Sequence, residues 1–397
     1  MFIKRTLKSA LLLSGLIASS SIYALEKDEV IVGGLISMTG AGSVIGEAFA
    51  EGTKMAVEEI NASGGVLDTP MRLVLADTQT NPSTAVSEVM RLVHREKIDA
   101  LIGPAISQET GAVVPLATRS KLLQISSAGS LELTPEVGPY HFSIIANAEG
   151  QGIAMVNGAL DELNAKRPAI LVDNGGQSRT AVGAMKKRLE ERGVEAVGVE
   201  EYQYNTDDVT PQLLSLREKK PDVILYFIGT PGDLRTFLEN RENIGWDVPV
   251  VGAMSMASYA ESIGKSVPGS YFDNVYGVIF PEFSYCPGDE LGKSLYAQFY
   301  ERYKERGIDP EKAPVGTTSF YYSSVYLLKA AIENTKSLDA EVLANWIETE
   351  SSGVENMYAQ FGASKDTHFM FGPDSLILGQ EMHSPREDKT FRRYSCD

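Results

Sequence analysis

The stretch VIVGGLISMTGAGSVIGEAFAEGTKMAVEEINASGGV occupies Val30–Val66 and decides the fold. Its first part, Val30–Ile36, is a short apolar run typical of a buried strand. A glycine-rich turn follows at Thr39–Gly46, and the amphipathic pattern of Glu47–Asn61 predicts a helix that ends at glycine. In a strand–loop–helix unit of this kind, ligands gather where the loop and the helix N-terminus supply N–H donors.

The same alternation of strands and helices continues along the chain. Asn81 and Pro82 open the second helix as N-cap and first helical residue, and the pattern restarts near Ala148. Because the strands are short apolar runs, they predict parallel sheets covered by helices on both faces. The predicted strands that follow are Met71–Ala76, Asp99–Ile102, Leu122–Ile125, Ala169–Val172, Glu195–Val199, Val223–Ile228, Val248–Val251, Val275–Phe280, Phe369–Phe371 and Ser375–Leu378.

Length and charge narrow the class of protein. A chain of 397 residues has room for two domains with sizeable cores. Its formal net charge of −17 argues against binding to nucleic acid, which requires a basic surface. The content of 43% hydrophobic and 22% charged residues is typical of a soluble globular protein.

The N-terminus has the pattern of a secretory signal peptide. Lys4, Arg5 and Lys8 precede the apolar run Ala10–Ala18, which is too short to span a bilayer. Small polar residues then lead to a predicted cleavage after Ala24. We therefore expect residues 1–24 to be a signal peptide and the mature chain to be exported to the periplasm.

Two cysteines, Cys286 and Cys396, lie in the mature part of the chain. In an oxidising compartment they are able to form a disulfide that ties the C-terminal tail to a surface loop, and two unpaired thiols are the alternative. With four scattered histidines, they give no metal-site spacing, so no metal is expected.

The opening glycines also suggest a dinucleotide site. Gly40, Gly42 and Gly46 have the spacing G-x-G-x-x-x-G rather than G-x-G-x-x-G, and Asp77 comes too late for the ribose-binding acid. Neither a phosphate-binding GxxxxGK[ST] motif nor a G-x-S-x-G elbow occurs in the sequence. The sequence therefore predicts no cofactor and no enzymatic activity.

Hydroxyl side chains recur after the predicted strands. Beside helix N-termini, hydroxyls form a neutral pocket for a carboxylate because they donate hydrogen bonds where the helix ends are partly positive. Each serine taken alone is equally a helix cap, but their recurrence along one sheet edge favours a site. These residues are Ser37, Thr39, Ser43, Ser107, Ser126, Ser127 and Ser130.

Several segments resemble the periplasmic solute-binding proteins of ABC importers, of the leucine/isoleucine/valine-binding type. This resemblance implies two Rossmann-like lobes, three crossing segments and a ligand enclosed by a hinge motion. It places lobe 1 at 28–147 plus 277–357, and lobe 2 at 148–276 plus 358–397. The segments that carry it are GLISMTGAGSVIG, MAVEEINASGGV, DTQTNPSTAV, IGPAISQET, ISSAGS and NAEGQG.

The resemblance also assigns ligand-binding positions. The carboxylate-binding serine falls on Ser107, and the family's ligand-binding acid falls on Met254, which has no charge to offer an ammonium group. The half of the site that holds a carboxylate is thus kept, and the half that holds an ammonium is altered. Asp173 or Glu109 is able to replace the missing acid, although either is equally a capping or surface residue. The other implied contacts are Ile45, Ala128, Gly129, Ser130, Gln177 and Thr230.

The resemblance implies transport rather than chemistry. We expect a monomeric, periplasmic solute-binding component that delivers its ligand to the membrane permease of an ABC importer. The ligand is expected to be a small carboxylate or amide. Its apolar or aromatic character is expected from Ile45, Met254, Met256 and Tyr259. A branched-chain amino acid is also compatible with the sequence. A ligand sensor of the same fold is the alternative, followed by an enzyme that uses a dinucleotide.

Overall fold

The computed structural model describes Leu25 and residues 27–40, 42–310 and 312–396, without the side chain of Val44. The predicted signal peptide, residues 1–24, lies outside this range. Among the helices of the described segments, none combines the length and the apolar character that a membrane span needs.

Fourteen strands are present in the described residues. They are β1 (Val30–Ile36), β2 (Met71–Asp77), β3 (Ala100–Ile102), β4 (Leu123–Ser126), β5 (His141–Ala146), β6 (Pro168–Asp173), β7 (Gly198–Tyr202), β8 (Val223–Phe227), β9 (Val250–Gly252), β10 (Val275–Ile279), β11 (Ser284–Tyr285), β12 (Phe369–Phe371), β13 (Ile377–Gln380) and β14 (Phe391–Arg393).

Eleven α-helices accompany these strands in the same ranges. They are α1 (Ser43–Ala62), α2 (Pro82–Arg91), α3 (Ser107–Arg119), α4 (Ala148–Asn157), α5 (Gly176–Glu191), α6 (Thr210–Glu218), α7 (Pro231–Asn243), α8 (Ser255–Ile263), α9 (Leu295–Glu305), α10 (Val315–Thr335) and α11 (Ala340–Glu350).

The strands form two sheets, and each sheet defines a lobe. Lobe 1 is built on six strands in the order β12-β5-β4-β3-β1-β2, all parallel. Lobe 2 is built on eight strands in the order β11-β14-β13-β10-β9-β8-β6-β7, in which β13 runs antiparallel to β10 and to β14. The prediction of two Rossmann-like lobes with parallel sheets flanked by helices is confirmed.

Apolar burial and helix capping explain the positions of the first elements of lobe 1. The β1 run agrees with its predicted bounds, and Val30, Val32 and Leu35 are completely buried. Asn81 caps α2 because its side chain accepts hydrogen bonds from the backbone N–H groups of Ser83 and Thr84. The unit predicted from the opening stretch is therefore present as strand, loop and helix.

Sheet membership differs from the predicted lobe limits at two places. Strands β10 and β11 lie in lobe 2, although residues from 277 onward were predicted to lie in lobe 1, because Gly277 pairs with Gly379 of β13. Strand β12 lies in lobe 1, although residues from 358 onward were predicted to lie in lobe 2, because Phe369 pairs with Ser143 of β5.

Between the lobes, the described chain crosses after β5, after β11 and after β12. Aromatic rings pack around the second and third crossings, where Phe280 lies 4.8 Å from Phe371 and 5.0 Å from Tyr358 between ring centroids. Phe320 of α10 stacks on Tyr358 at 5.0 Å. This hinge cluster (Phe280, Phe320, Tyr358 and Phe371) joins the cores of the two lobes.

The two cysteines form a disulfide in this structure. Cys286 follows β11 and Cys396 follows β14, and their Cα atoms lie 5.8 Å apart. The bond closes a loop with a sequence separation of 110 residues and fastens the edge of the lobe 2 sheet.

Candidate functional site

A cavity of about 450 Å³ lies at the carboxyl ends of the strands, where the two lobes meet. Lobe 1 contributes the end of β5 and one residue of α10, and lobe 2 contributes the remaining lining. The lining residues are Ile145, Ala146, Gln151, Asp173, Gly175, Gly176, Gln177, Ser178, Tyr204, Phe227, Ile228, Gly229, Met254, Ser255, Tyr259 and Phe320. A cleft at this edge of parallel sheets is the usual ligand position in α/β folds.

We call the lobe 2 side of the cavity the lobe 2 wall; it comprises residues 173–178, 228–230 and 254–259 with Tyr204. Asp173 ends β6 and is 2% exposed. Its Oδ1 accepts a hydrogen bond of 2.6 Å from the backbone N–H of Gly175. Its Oδ2 is buried and has no hydrogen-bond partner among the described residues. A buried carboxylate oxygen without a donor is costly, which points to a partner from outside the chain.

The backbone of Gly229 packs closely against this oxygen and against the ring of Tyr204. A Cβ atom placed on Gly229 would lie 2.6 Å from Oδ2 of Asp173 and 2.7 Å from Cε2 of Tyr204. Real Cβ contacts are not this short, so a larger residue would displace one of these side chains. The absence of a side chain here is what lets Asp173 and Tyr204 approach the same point of the wall.

A second aspartate lies behind the first. Asp233, in the first turn of α7, is completely buried, and its Oδ2 accepts a 2.8 Å hydrogen bond from the hydroxyl of Thr230. Thr230 in turn caps α7 by accepting from the backbone N–H of Asp233 at 3.0 Å. Burial raises the pKa of Asp233, and the negative charge of Asp173 raises it further.

Tyr259 and Gln151 hold the loops of this wall in place. The Tyr259 hydroxyl donates to the backbone oxygen of Gly229 at 3.0 Å. Gln151 accepts from the backbone N–H of Met254 at 3.2 Å and donates to the backbone oxygen of Ala146 at 2.9 Å. Gln151 therefore connects the lobe 2 wall to the end of β5 in lobe 1.

The lobe 1 wall comprises the loops 37–42, 103–107 and 126–130. In the loop 126–130, Ala128 donates its backbone N–H to Ser126 Oγ at 3.1 Å, and its backbone oxygen accepts from Ser143 at 2.6 Å. Ser130 Oγ accepts from the backbone N–H of Glu132 at 3.3 Å. These polar groups of the loop are thus bonded within lobe 1.

Buried side chains brace the same loop from behind. Ser127 shares a 2.8 Å hydrogen bond with the hydroxyl of Tyr321, a buried residue of α10. Ser126 shares a 2.8 Å bond with Nε2 of His141. Burial, with a smaller electrostatic contribution from His368, lowers the pKa of His141 to about 3, so this imidazole is neutral near pH 7.

A buried acid also lies under the lobe 1 wall. Glu109, in the first turn of α3, is completely buried, and its Oε2 accepts a 3.1 Å bond from Ser37 Oγ. Its Oε1 has no partner among the described residues. Glu109 is therefore neither a capping nor a surface residue, but it does not line the cavity.

The predicted ligand contacts of lobe 2 come together in the structure. Gln177 and Met254 line the cavity, and Thr230 adjoins the lining residue Gly229 as the cap of α7. Gly129 lies close to this group, since a Cβ on it would be 3.3 Å from Ile145 and 3.9 Å from Nε2 of Gln177.

The predicted contacts of lobe 1 are not among the lining residues. Ser107 begins α3 and is half-buried, and Ile45 is 38% exposed in the first turn of α1. Ala128 and Ser130 belong to the loop described above. Their role in binding stays a prediction.

Sequence reasoning missed part of the lining. Strand β5 was not predicted, although its apolar run between Pro139 and Asn147 is a usable strand signal, and it supplies Ile145 and Ala146. Tyr204 and Phe320 carry no local signal of a site, because only the tertiary fold brings them to the cavity. In the described ranges, no group of three or more His, Cys, Asp or Glu side chains is placed to hold a metal ion.

Two lobes with a cleft between their strand ends define the type I periplasmic binding fold. The sequence model of the family described as periplasmic binding protein matches residues 29–375, and the chain belongs to that family. An amino acid binding protein of Pseudomonas aeruginosa is 23% identical over 340 residues, which cover 84% of this chain and 87% of the relative. The resemblance drawn from the sequence to this family of solute-binding proteins is confirmed.

Solved structures of low sequence identity share the fold. The substrate-binding protein LivJ of a branched-chain amino acid transporter from Streptococcus pneumoniae, in complex with isoleucine, has a TM-score of 0.67 at 21% identity and covers 91% of this chain and 97% of its own. A solute-binding protein of an ABC transporter from Rhodopseudomonas palustris, in complex with p-hydroxybenzoic acid, has a TM-score of 0.70 at 19% identity and covers 92% and 96%.

Proposed function

We propose that this protein is the periplasmic substrate-binding component of an ABC importer and performs no catalysis. It captures a small amino acid or a related carboxylate or amide by closing its two lobes, and the membrane permease recognises the closed form. The observation that carries the proposal is the cavity at the strand ends, which both lobes line. Contacts to both lobes favour the closed state, because only that state offers all of them at once.

In this proposal the two walls divide the ligand between them. The lobe 1 wall offers hydroxyls and the N-terminus of α3, with Ser107 as its first residue, to a carboxylate. The lobe 2 wall offers Met254, Tyr204 and Tyr259 to the rest of the ligand. Relatives and neighbours of the family include proteins named for amino acid binding and one in complex with p-hydroxybenzoic acid, and both ligand classes carry a carboxylate.

A thermal-shift screen of the mature protein tests the proposal. The panel contains amino acids, aromatic acids, short organic acids, urea and amides, each added in excess. A ligand at about 100 times its dissociation constant stabilises the folded protein by about 2.7 kcal/mol, which raises the melting temperature measurably. A panel in which no compound raises the melting temperature would contradict the proposed solute class.

Two serine variants locate the carboxylate. Ser107→Ala and Ser130→Ala should each weaken binding of the compound found in the screen, measured by calorimetry, because each loses a hydroxyl donor. Ser87→Ala, on an exposed part of α2, is the matched control and should bind as the wild type does. Unchanged affinity in both test variants would show that the carboxylate lies elsewhere.

A further inference from the structure

Asp173 is a buried carboxylate that the fold alone does not explain. Asp173 is one of the residues that line the cavity. Its Oδ1 accepts a hydrogen bond from the backbone N–H of Gly175, whereas its buried Oδ2 has no donor among the described residues. Folded proteins seldom leave a buried carboxylate oxygen without a hydrogen bond, because its desolvation is then uncompensated.

The surroundings of this oxygen are negative. No lysine, arginine or histidine occurs among the described residues that line the cavity. Asp233 lies close enough for the charge of Asp173 to act on it and raise its pKa. A buried carboxylate in a lining without a cationic side chain favours a positively charged group in the cavity.

Resting on the proposed function, we infer that Oδ2 of Asp173 accepts a hydrogen bond from an ammonium group of the ligand, so that the protein selects amino compounds over plain carboxylic acids. Asp173 thereby takes the part that the uncharged Met254 is unable to play. The ligand carries its carboxylate to the lobe 1 wall and its ammonium to the lobe 2 wall.

Two neighbours of Asp173 fit this role. Gly229 has no side chain to cover Oδ2, and a Cβ there would be only 2.6 Å from that oxygen. The ring of Tyr204 borders the same space and is 46% exposed, so it is free to shift as the ligand enters. An aromatic ring beside an ammonium adds a favourable cation–π contact.

The first experiment compares matched ligands on the wild-type protein by calorimetry. Each pair contains an amino acid and the acid that lacks only its amino group, such as L-leucine with 4-methylpentanoate and L-phenylalanine with 3-phenylpropanoate; p-hydroxybenzoate is added as an aromatic acid. In a pair that binds, the amino compound should bind about thirtyfold more tightly or better, the ratio expected when a buried charge loses its partner.

The second experiment changes the carboxylate. Asp173→Asn keeps an oxygen for the Gly175 N–H, so the loop is retained, but it removes the negative charge. The variant should bind the amino compound about thirtyfold less tightly or worse, and bind the deaminated acid as the wild type does. Asp207→Asn, an exposed aspartate of the same lobe, is the control and should leave both affinities unchanged.

The outcomes separate this inference from the function on which it rests. If wild type binds acids of the panel as tightly as their amino partners, or if Asp173→Asn weakens both members of a pair equally, the ammonium contact is wrong while solute binding stands. If no compound of either class binds, the proposed function fails and the inference fails with it.

Discussion

The two walls of the cleft are built from different chemistry. In the lobe 1 wall, the hydroxyls of Ser126 and Ser127 and the backbone groups of Ala128 already have hydrogen-bond partners, among them His141 and Tyr321. In the lobe 2 wall, a buried oxygen of Asp173 has no partner in the described chain. Within the described residues, lobe 1 also has an unpartnered carboxylate oxygen, on Glu109, but Glu109 does not line the cavity, whereas Asp173 does.

This difference suggests how specificity is divided. A braced wall of neutral groups offers the same surface to any small carboxylate, at little cost in ordering. A wall with an unpartnered buried carboxylate oxygen discriminates strongly, because a ligand without a suitable donor leaves that oxygen unpaired. We expect changes in the lobe 1 wall to alter stability, and changes in the lobe 2 wall to alter ligand choice.

Removal of the disulfide has the largest expected effect on stability. It tests whether lobe 2 depends on a covalent cross-link. The double variant Cys286→Ser/Cys396→Ser should lower the free energy of unfolding by about 3–4 kcal/mol, because a cross-link between residues 110 apart constrains the unfolded chain. Urea unfolding measures this loss, and ligand affinity should not change.

The same loss should follow when the wild type is unfolded with a thiol reductant present, and the double variant should then show no further change. Equal stability of wild type and double variant without reductant would mean that the bond contributes nothing to lobe 2.

The pH dependence of stability tests the brace of lobe 1. The pKa of His141 is about 3 in the folded protein, below its ordinary value of 6.5, so the unfolded chain binds this proton first. The contribution of His141 to the free energy of unfolding is therefore fully present above about pH 6.5 and is lost as the pH falls toward 3. One proton is worth up to about 1.4 kcal/mol per pH unit, which predicts a loss of about 2–3 kcal/mol between pH 6.5 and 4.5.

His141→Gln should remove this slope, measured by urea unfolding at pH 6.5 and 4.5. His383 is the matched residue of lobe 2, and burial lowers its pKa as well, but it is only half-buried. His383→Gln should therefore change the slope less than His141→Gln does. A larger change of slope in His383→Gln than in His141→Gln would contradict the role of buried His141 in supporting the lobe 1 wall.

Much of the fold follows from the sequence because its signals are local. Apolar runs locate β1, β6, β8 and β12 within a residue of the observed bounds, and Asn81 marks the start of α2. The predicted strand Glu195–Val199 lies three residues early, since β7 spans Gly198–Tyr202 and carries two glutamates that weaken its apolar pattern. Short edge strands such as β11 and β14 have no such pattern and depend on their partners.

The candidate site follows from the sequence only in part. Gln177 and Met254 were found through family resemblance, and Asp173 was weighed without a way to decide between a cap and a ligand partner. The structure shows that one oxygen of Asp173 serves the loop and the other does not. Burial of a single atom depends on the packing of several loops, and the spacing of residues in the sequence does not predict it.

Two glycine variants compare most directly how the two walls affect stability and ligand binding. Gly46→Ala should destabilise the protein by about 2 kcal/mol, because its Cβ would lie 2.1 Å from the backbone oxygen of Ser37, which has little freedom to move. Gly229→Ala should cost less stability than Gly46→Ala, because its Cβ meets two side chains, of which the exposed Tyr204 is able to move, but it should weaken ligand binding about tenfold.

Thermal unfolding measures the stability of each variant, and calorimetry on the same samples measures its ligand affinity. Gly111→Ala is the control, since its Cβ would meet no atom within 4 Å and its helix gains from the substitution. A Gly229→Ala variant that lost stability but kept its affinity would reverse the assignment of the two walls.

The smallest expected effect concerns one hydroxyl on each side of the cleft. Tyr321→Phe removes the 2.8 Å bond to Ser127 and should cost about 1 kcal/mol of stability, while the ring keeps its packing against Phe49. Tyr202→Phe removes a 3.0 Å bond to the hydroxyl of Tyr226 in the core of lobe 2 and should cost about the same.

The two variants differ in what they do to the ligand. Tyr321→Phe loosens the loop 126–130, so part of the binding energy must be spent on ordering that loop, and affinity should fall severalfold. Tyr202 is not among the residues that line the cavity, so Tyr202→Phe should leave affinity unchanged. If both variants lowered affinity equally, the effect would come from general loosening of the fold. If only Tyr321→Phe did, its hydroxyl would be shown to prepare the lobe 1 wall for a carboxylate before any ligand arrives.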